Sequence, residues 1–201
     1  FTAGYIHSGS PAFEQLPPTD AWGTEHIAAP LSRQYEAIYR IVGAFDGTRV
    51  DVDPSLGGVP VNFTLNRGGF YDLRYPGLLR FSSNNPVLVS QMVKSTSWVP
   101  KSRDTAYGDP GMVIVPPTKM WGNSAAAYVP KLYPRIDGGP AVAWKHYLLV
   151  ASRAATITGV RINGVAASWN SLISFGGAAV GVAEIGEGDS RVTATDSFSI
   201  I

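Results

Sequence analysis

The chain of 201 residues is 45% hydrophobic and 15% charged, with a formal net charge of +1 and no cysteine. This composition argues against disorder, and the nearly neutral charge argues against a broad surface for nucleic acid or anionic membranes. The lack of cysteine excludes disulfides, thiol chemistry and cysteine-bound zinc.

In the first half, short apolar runs separated by Gly, Pro, Asn and Asp predict strands joined by sharp turns. The predicted strands are 12–16, 36–44, 48–52, 59–65, 70–74, 79–82 and 87–93. Asp46-Gly47 is a hairpin turn signal, and residues 83–86 (Ser-Asn-Asn-Pro) predict a turn between the last two strands. Residues 87–93 are apolar enough for a central strand buried on both faces.

The second half repeats this order of elements. Its predicted strands are 112–115, 124–129, 144–151, 159–164 and 191–201. Residues 94–107, between the halves, are polar and turn-rich and form the predicted linker. No segment carries a convincing amphipathic helix, and short strands separated by frequent turns are typical of β-sandwiches.

One stretch of sequence occurs twice. Residues 9–23 are echoed 99 positions later by residues 108–122, and both contain Pro-Pro-Thr followed by Trp-Gly. Similarity at a fixed offset indicates a duplicated structural unit. A weaker match relates 191–201 to 80–90, which requires insertions in the second copy, most easily in loops.

These patterns predict an all-β chain of two tandem, internally duplicated β-sandwich lobes of antiparallel strands, with domains at 1–99 and 100–201. The Pro-Pro pair cannot donate to a ladder, so a preceding strand must end there or lie on an edge. The following Thr-Asp-Ala-Trp-Gly is predicted to be a turn in which Gly23 is free to adopt a positive φ. Trp22 and Trp121 are predicted to fill equivalent cores.

Three blocks of the sequence, taken together, resemble one family. They are 13–25 (Phe-Glu-Gln-Leu-Pro-Pro-Thr-Asp-Ala-Trp-Gly-Thr-Glu), 82–91 (Ser-Ser-Asn-Asn-Pro-Val-Leu-Val-Ser-Gln) and 108–117 (Gly-Asp-Pro-Gly-Met-Val-Ile-Val-Pro-Pro). In this order and combination they are similar to the N-terminal domain of the IgG Fc-binding protein family, from about residue 13 to the end of the chain. Such domains occur in large secreted or cell-surface proteins of animals and bacteria.

The resemblance implies a non-enzymatic extracellular module that lies beside adhesion, mucin-type or repeat domains. Its partners would be a protein or a glycan at a cell surface or in the extracellular matrix, with no nucleic acid and no cofactor. The family offers no catalytic or ligand-contacting residues to carry over. No apolar run approaches the roughly 20 residues of a transmembrane helix, and the start at Phe1, without a signal peptide, predicts a piece of a longer protein with flanking domains.

The residues themselves point to no catalytic or metal site. There is no Gly-x-Ser-x-Gly nucleophile motif. His7, His26 and His146 lie far apart, so each is predicted to be a surface or satisfied core histidine. Three aspartates cluster near a predicted turn and could serve calcium, but their spacing does not match an EF-hand loop, which favours ordinary turn and edge-strand aspartates; they are Asp46, Asp51 and Asp53.

Aromatic residues are the strongest candidates for a ligand surface, since the chain has five Trp and nine Tyr. Trp98 lies in the predicted linker and is a candidate exposed interface residue. Asn62-Phe63-Thr64 matches the N-glycosylation acceptor pattern, so Asn62 is a candidate glycosylation site in a eukaryotic secreted protein.

Three functions remain open at the level of sequence. The first is a non-enzymatic extracellular adhesion or interaction module of a larger secreted or cell-surface protein. The second is a carbohydrate-binding module that uses exposed aromatic residues. The third is a glycan-active or peptide-active enzyme whose site assembles from loops, for which a pair of carboxylates across a cleft would be the mark.

Overall fold

The structure is a computed structural model that describes residues 15–30, 36–93, 111–129 and 145–200. The chain divides into two compact units, Phe1–Lys119 and Met120–Ile201. The predicted boundary between residues 99 and 100 lies outside the described residues. In the described ranges, regular structure is strand and single-turn 3-10 helix, and none of it is a helix with the length and apolarity needed to cross a bilayer.

The first unit holds one antiparallel sheet of seven strands. The strands are β1 (Gly23–Ala28), β2 (Ala37–Gly43), β3 (Thr48–Pro54), β4 (Val61–Leu65), β5 (Phe70–Tyr75), β6 (Leu79–Val93) and β7 (Gly111–Val115). Their order across the sheet is β4-β3-β6-β2-β5, and β1 and β7 also pair with β6. β6 is therefore the strand that connects the whole lobe.

β6 is shared by two halves of this sheet. Its first part, up to Ser83, pairs with β3 and β1, and its last part, from Val87, pairs with β2 and β7. The register shifts between these parts, because Gly23 lies opposite Val87 whereas Glu25 lies opposite Ser82. The extra residues of β6 form a bulge, and such a bulge lets one strand pass between two packed layers. The predicted sandwich lobe is confirmed in this form, as a curled sheet with one shared strand.

Two predictions about the connections need correction. Residues 83–86, predicted as a turn, lie inside the continuous strand β6 and form its bulge, where the Asn84 side chain accepts the backbone N–H of Arg49 at 2.8 Å. The turn at Asp46-Gly47 exists, since Gly47 has a φ of 65°. It joins β2 to β3, however, and these strands do not pair with each other. It is a connection between the two halves rather than a hairpin.

Both halves of the first sheet contribute to one core. Alternate residues of β2 and of β3 are buried, as the period of two in a strand requires. The buried residues of this core are Ala28, Ala37, Tyr39, Ile41, Val50, Val52, Leu65, Leu79, Phe81, Val87, Val89 and Val115. Burying each large apolar side chain stabilises the lobe by about 1.5–3 kcal/mol relative to exposure.

The second unit also holds one antiparallel sheet of seven strands. The strands are β8 (Gly122–Val129), β9 (His146–Arg153), β10 (Arg161–Ile162), β11 (Val165–Ala166), β12 (Ser171–Phe175), β13 (Ala178–Ile185) and β14 (Gly188–Ile200). Their order is β11-β10-β14-β9-β13-β12, and β8 pairs with β14. The buried core residues are Leu148, Val150, Ile157, Val160, Ala179, Val192 and Phe198.

The predicted duplication is confirmed by strand order and by register. The path β4-β3-β6-β2-β5 of the first lobe corresponds to β11-β10-β14-β9-β13 of the second, with β1 and β8 in equivalent places. In the second lobe, Gly122 lies opposite Phe198 and Ser124 lies opposite Thr193. The register of β8 on β14 therefore shifts by the same amount, and at the same place, as that of β1 on β6.

The two lobes differ at two places: β7 has no counterpart among the described strands of the second lobe, and the second lobe has an added strand at one edge. β12 has no counterpart in the first lobe, where the chain runs from β4 through a turn directly into β5. β12 and β13 pair over residues 171–175 and 178–182 and are joined by Gly176 and Gly177, both with positive φ. The second copy therefore carries an added hairpin arm, and its last strand on this side is β12 instead of the equivalent of β5.

The two Pro-Pro-Thr segments adopt the same local structure. Each forms a single 3-10 turn, at Thr19–Ala21 and at Thr118–Met120, and a strand begins at the Gly that follows the Trp. Gly23 does not have the positive φ that we predicted. Its role is close packing instead, because a Cβ on Gly23 would lie 2.2 Å from Cβ of Pro117.

Candidate functional site

An ordered, exposed cluster lies on the outer face of β2 and β5. Arg40 of β2 lies opposite Asp72 of β5, and its Nε and Nη2 donate to the two carboxylate oxygens, each at 2.8 Å. The same guanidinium lies over the ring of Phe70, with its central carbon 4.3 Å from the ring centroid. Phe70 is 57% exposed. We call Arg40, Phe70, Asp72 and Arg74 the β5 face.

The alternation of the strands explains why these side chains point outward. Tyr39 and Ile41 on β2 face the core, so Arg40 between them faces away from it. On β5, Leu73 and Tyr75 pack against the core, so Asp72 and Arg74 lie on the outer face. The antiparallel register then brings opposite charges side by side across the two strands.

The ion pair holds both partners in their charged forms. The hydrogen bonds from Arg40 lower the pKa of Asp72 below its ordinary value, and those bonds likewise raise the pKa of Arg40. Both side chains are partly solvated, so the pair contributes little to stability. Its main effect is geometric, because a bidentate pair fixes the planar guanidinium against the aromatic ring.

Two exposed arginines lie near the two ends of β5. Arg74, near the end of β5, and Arg67, just before its start, are exposed and form no ion pair with any residue that the structure describes. Tyr71, between them, is 37% exposed and stacks on Phe63 of β4 with ring centroids 4.2 Å apart. The β5 face thus combines a fixed aromatic–guanidinium pair with unpaired positive charge.

None of the tryptophans that the structure describes belongs to the β5 face. Trp22 is buried against Ala44 and Leu88, and its Nε1 donates to the carbonyl of Pro17 at 2.9 Å, so it is structural. Trp169 is half-buried and its ring lies against Gly181, where a Cβ would come within 2.4 Å of the ring. Trp121 is half-buried. Trp98 and Trp144 lie outside the described residues.

Asn62, the candidate glycosylation site, is exposed on the edge strand β4. It lies opposite Asp51 in the pairing of β3 with β4. Thr64, the third residue of the acceptor pattern, is exposed on the same face of the strand. The outward direction of both side chains leaves room for a glycan.

His26 is the one histidine that the structure places deep in a core. It is 1% exposed. Its Nδ1 lies 3.0 Å from the carbonyl oxygen of Val115, and its Nε2 lies 3.2 Å from that of Val87 and 3.4 Å from that of Gly23. Burial lowers the pKa of His26 below its ordinary value, and the carbonyls oppose this shift only in part. The neutral ring donates from one of its two nitrogens, so His26 is a core histidine that lies among carbonyls of β1, β6 and β7 and bonds to those on one side of the ring.

The remaining titratable groups form no metal site in the parts of the chain that the structure describes. There, no three His, Asp or Glu side chains gather closely enough to hold a metal ion. Asp46 accepts the backbone N–H of Arg67 at 2.9 Å, and Asp51 pairs with Arg49 at 3.1 Å. His146 is half-buried on β9, and His7 lies outside the described residues.

The comparison with protein families decides the identification. The family model described as IgGFc binding protein matches residues 3–201. The chain belongs to this family. No curated protein and no solved structure gives a significant match. The matched range contains both Pro-Pro-Thr stretches and both strands with the register shift, β6 and β14.

Proposed function

We propose that this member of the IgGFc-binding family is a non-enzymatic extracellular module that binds protein partners, within a larger adhesive or cell-surface protein. The observation that carries the proposal is the family match over residues 3–201, whose description names binding to an antibody Fc region. The duplicated sandwich supports it, because rigid β lobes present fixed surfaces to partners. A position at the cell surface or in the extracellular space is part of the same proposal.

The β5 face is the surface that we propose for the contact. Arginine and aromatic side chains are over-represented among residues that contribute most to protein–protein binding. The guanidinium of Arg40 is already fixed by Asp72 and Phe70, so its ordering adds little entropic cost on association. A partner that covers Phe70 would also desolvate the ion pair and strengthen it.

The direct test is binding of the recombinant chain to immobilised IgG Fc, measured by surface plasmon resonance, with Fab of the same antibody as control. We expect saturable binding to Fc and not to Fab. Replacing Phe70 with Ala should weaken binding by about tenfold, or ~1.4 kcal/mol. Tyr128→Ala, which removes another exposed aromatic residue from β8, is the matched control and should leave binding unchanged. Equal binding to Fc and Fab, or none to either, would exclude the Fc region as the protein partner.

The carbohydrate-binding alternative makes a different prediction. Saturable binding to soluble glycans on an array, without binding to Fc, would favour that function over ours. Measurable turnover of glycan or peptide substrates would favour the third alternative, an enzyme. Binding to Fc, with no binding on the glycan array and no turnover of substrates, supports the non-enzymatic module.

Asn62 is proposed as an N-glycosylation acceptor when the chain is secreted from eukaryotic cells. Its side chain and that of Thr64 are exposed on an edge strand, so a glycan would project from the folded lobe. We expect the chain secreted from cultured animal cells to lose mass on treatment with peptide N-glycosidase, and Asn62→Gln to abolish the shift. The sequence has no second acceptor pattern, so an unchanged mass would refute the proposal.

A further inference from the structure

The duplication identifies an edge of the first lobe at which no described strand pairs; we call it the open edge. In the second lobe, β13 is the equivalent of β5 and is covered by the additional strand β12. In the first lobe, β5 pairs with β2 on one side, and no described strand pairs with its other side. The same fold therefore accepts a further antiparallel strand at a position that no described strand of the first lobe occupies.

The backbone groups that face this edge follow from the pairing on the other side. The N–H of Gly43, at the end of β2, donates to the carbonyl of Gly69 at 3.0 Å. Hydrogen-bonded and non-hydrogen-bonded pairs alternate along an antiparallel ladder. Because Gly69 is in a hydrogen-bonded pair with β2, the residues at positions 70, 72 and 74 are in non-hydrogen-bonded pairs. The N–H and C=O groups of Phe70, Asp72 and Arg74 therefore point away from β2, toward the open edge.

This edge carries few of the devices that normally prevent strand addition. β5 has six residues and no register shift against β2, Pro76 lies just outside it, and the charge of its Asp72 is paired with Arg40, so it carries fewer of these devices than β4. β4, at the other end of the sheet, has five residues, directly follows Pro60 and carries the acceptor Asn62. Of the two ends of the first sheet, β5 is the one suited to accept a strand.

Charge identifies the kind of strand that would fit. The exposed arginines Arg67 and Arg74 lie at the two ends of β5 and have no ion-pair partner among the described residues. Phe70 offers an apolar surface between them. An extended segment with apolar side chains at its centre and acidic side chains at its ends is complementary to this arrangement.

We propose that the open edge of β5 binds an extended, acidic-flanked segment of the protein partner, which adds to the sheet as an antiparallel strand in the way that β12 adds to β13. This inference rests on the proposed protein-binding function and specifies its mode. Main-chain hydrogen bonds to Phe70, Asp72 and Arg74 supply affinity, and the flanking arginines supply specificity and register.

A designed peptide tests the inference directly. The probe is Glu-Ser-Leu-Ile-Ser-Phe-Glu, which is the β12 sequence with a glutamate at each end. We expect it to bind the whole chain and to slow amide hydrogen exchange at Phe70, Asp72 and Arg74. The same peptide with lysines in place of the glutamates should bind about tenfold more weakly or not at all. Binding that leaves exchange in β5 unchanged would overturn the inference.

Two variants at one position separate the backbone contribution from the charge. Arg74→Pro removes an edge N–H that no described residue uses, so the lobe should still fold. Arg74→Ala removes the charge and keeps the N–H. We expect Arg74→Pro to weaken peptide binding by about tenfold beyond Arg74→Ala, the loss of one strong hydrogen bond. Equal weakening by the two variants would overturn the strand-addition mode.

The Fc assay distinguishes failure of this inference from failure of the proposed function. If Fc binds wild type and Arg74→Pro equally well, the edge is not the contact although the module binds protein. If the peptide protects β5 but Fc does not bind, the edge is functional and Fc is not the partner. Dimerisation of the wild-type chain that Arg74→Pro abolishes would assign the edge to a second copy and overturn the partner that we propose.

Discussion

Replacing His26 with Leu is expected to lower the free energy of unfolding of the first lobe by about 2–4 kcal/mol. The change introduces an apolar side chain of similar size but removes the ring N–H, which donates either to the carbonyl of Val115 or to those of Val87 and Gly23, according to the tautomer. Leaving buried polar groups unsatisfied costs about 1–3 kcal/mol each where no water enters. Urea unfolding followed by residue-resolved hydrogen exchange would locate the loss in the first lobe.

His146→Leu is the matched control, because His146 is only half-buried and lies on β9 of the second lobe. We expect it to change stability by less than about 1 kcal/mol. A similar loss in both variants would mean that histidine burial at the junction of β1, β6 and β7 has no special role. Loss of the fold in the second lobe alone would contradict the assignment outright.

The same variant reports the protonation state of His26. Its pKa in the folded chain is lowered by burial, so the unfolded chain binds a proton more readily. The neutral ring therefore contributes stability that is fully present above the unfolded pKa of about 6.5 and is lost as pH falls below it. We expect the stability difference between wild type and His26→Leu to shrink on acidification from pH 7 to pH 5. A difference that grows instead would show that the three carbonyls hold the ring protonated.

Gly23→Ala is expected to destabilise the first lobe by about 2–4 kcal/mol, whereas Gly122→Ala at the equivalent position should change stability by less than about 1 kcal/mol. A Cβ on Gly23 would lie 2.2 Å from Cβ of Pro117, far inside the carbon–carbon contact distance of about 3.5–4.0 Å. Separating these atoms requires β1 to move away from Pro117, which forms an isolated bridge with His26. The nearest atom to a Cβ on Gly122 is the carbonyl oxygen of Ser124, at 3.7 Å.

Thermal unfolding of the two variants beside wild type makes this comparison internal to one molecule. Gly23 and Gly122 occupy the same place in a duplicated sequence. The effect of the substitution on local backbone preference is therefore nearly the same in both variants and cancels when their stabilities are compared. Equal destabilisation by both substitutions would show that the Trp-Gly sequence itself, and not the approach of Pro117, requires glycine. A Gly23→Ser variant should behave like Gly23→Ala, since its Cβ meets the same atom.

Local and repeated signals predicted the fold well. The echo of residues 9–23 in 108–122 predicted two similar lobes, and turn residues separated the strands near their observed ends. The observed strands β1, β12 and β13 were not predicted, and one predicted turn was wrong because its local chemistry has two outcomes. Ser-Asn-Asn-Pro suits a turn, but it also suits a bulge, in which residues leave the ladder and Asn84 satisfies the backbone N–H of Arg49 from a distant strand. Only the long-range pairing separates the two outcomes.

The candidate surface could not be predicted to the same degree. Alternation along the predicted strands already places Arg40 and Asp72 on outer faces, which is a usable signal in the sequence. What alternation does not show is that β2 and β5 are neighbours with Arg40 opposite Asp72. The sequence also could not show that three carbonyls surround His26, because Gly23, Val87 and Val115 lie on three different strands.

The sharing of β6 between the two halves also sets the order in which the first lobe is able to form. Apart from the pairs β3–β4 and β2–β5, every strand pairing in this sheet involves β6, which is encoded after β1 to β5. During synthesis, β1 therefore stays unpaired until residues 79–87 have left the ribosome. Such distant pairing slows folding and leaves apolar strands exposed for longer. The nascent first lobe is thus the stage at which we expect the apolar strands described here to be most prone to aggregation.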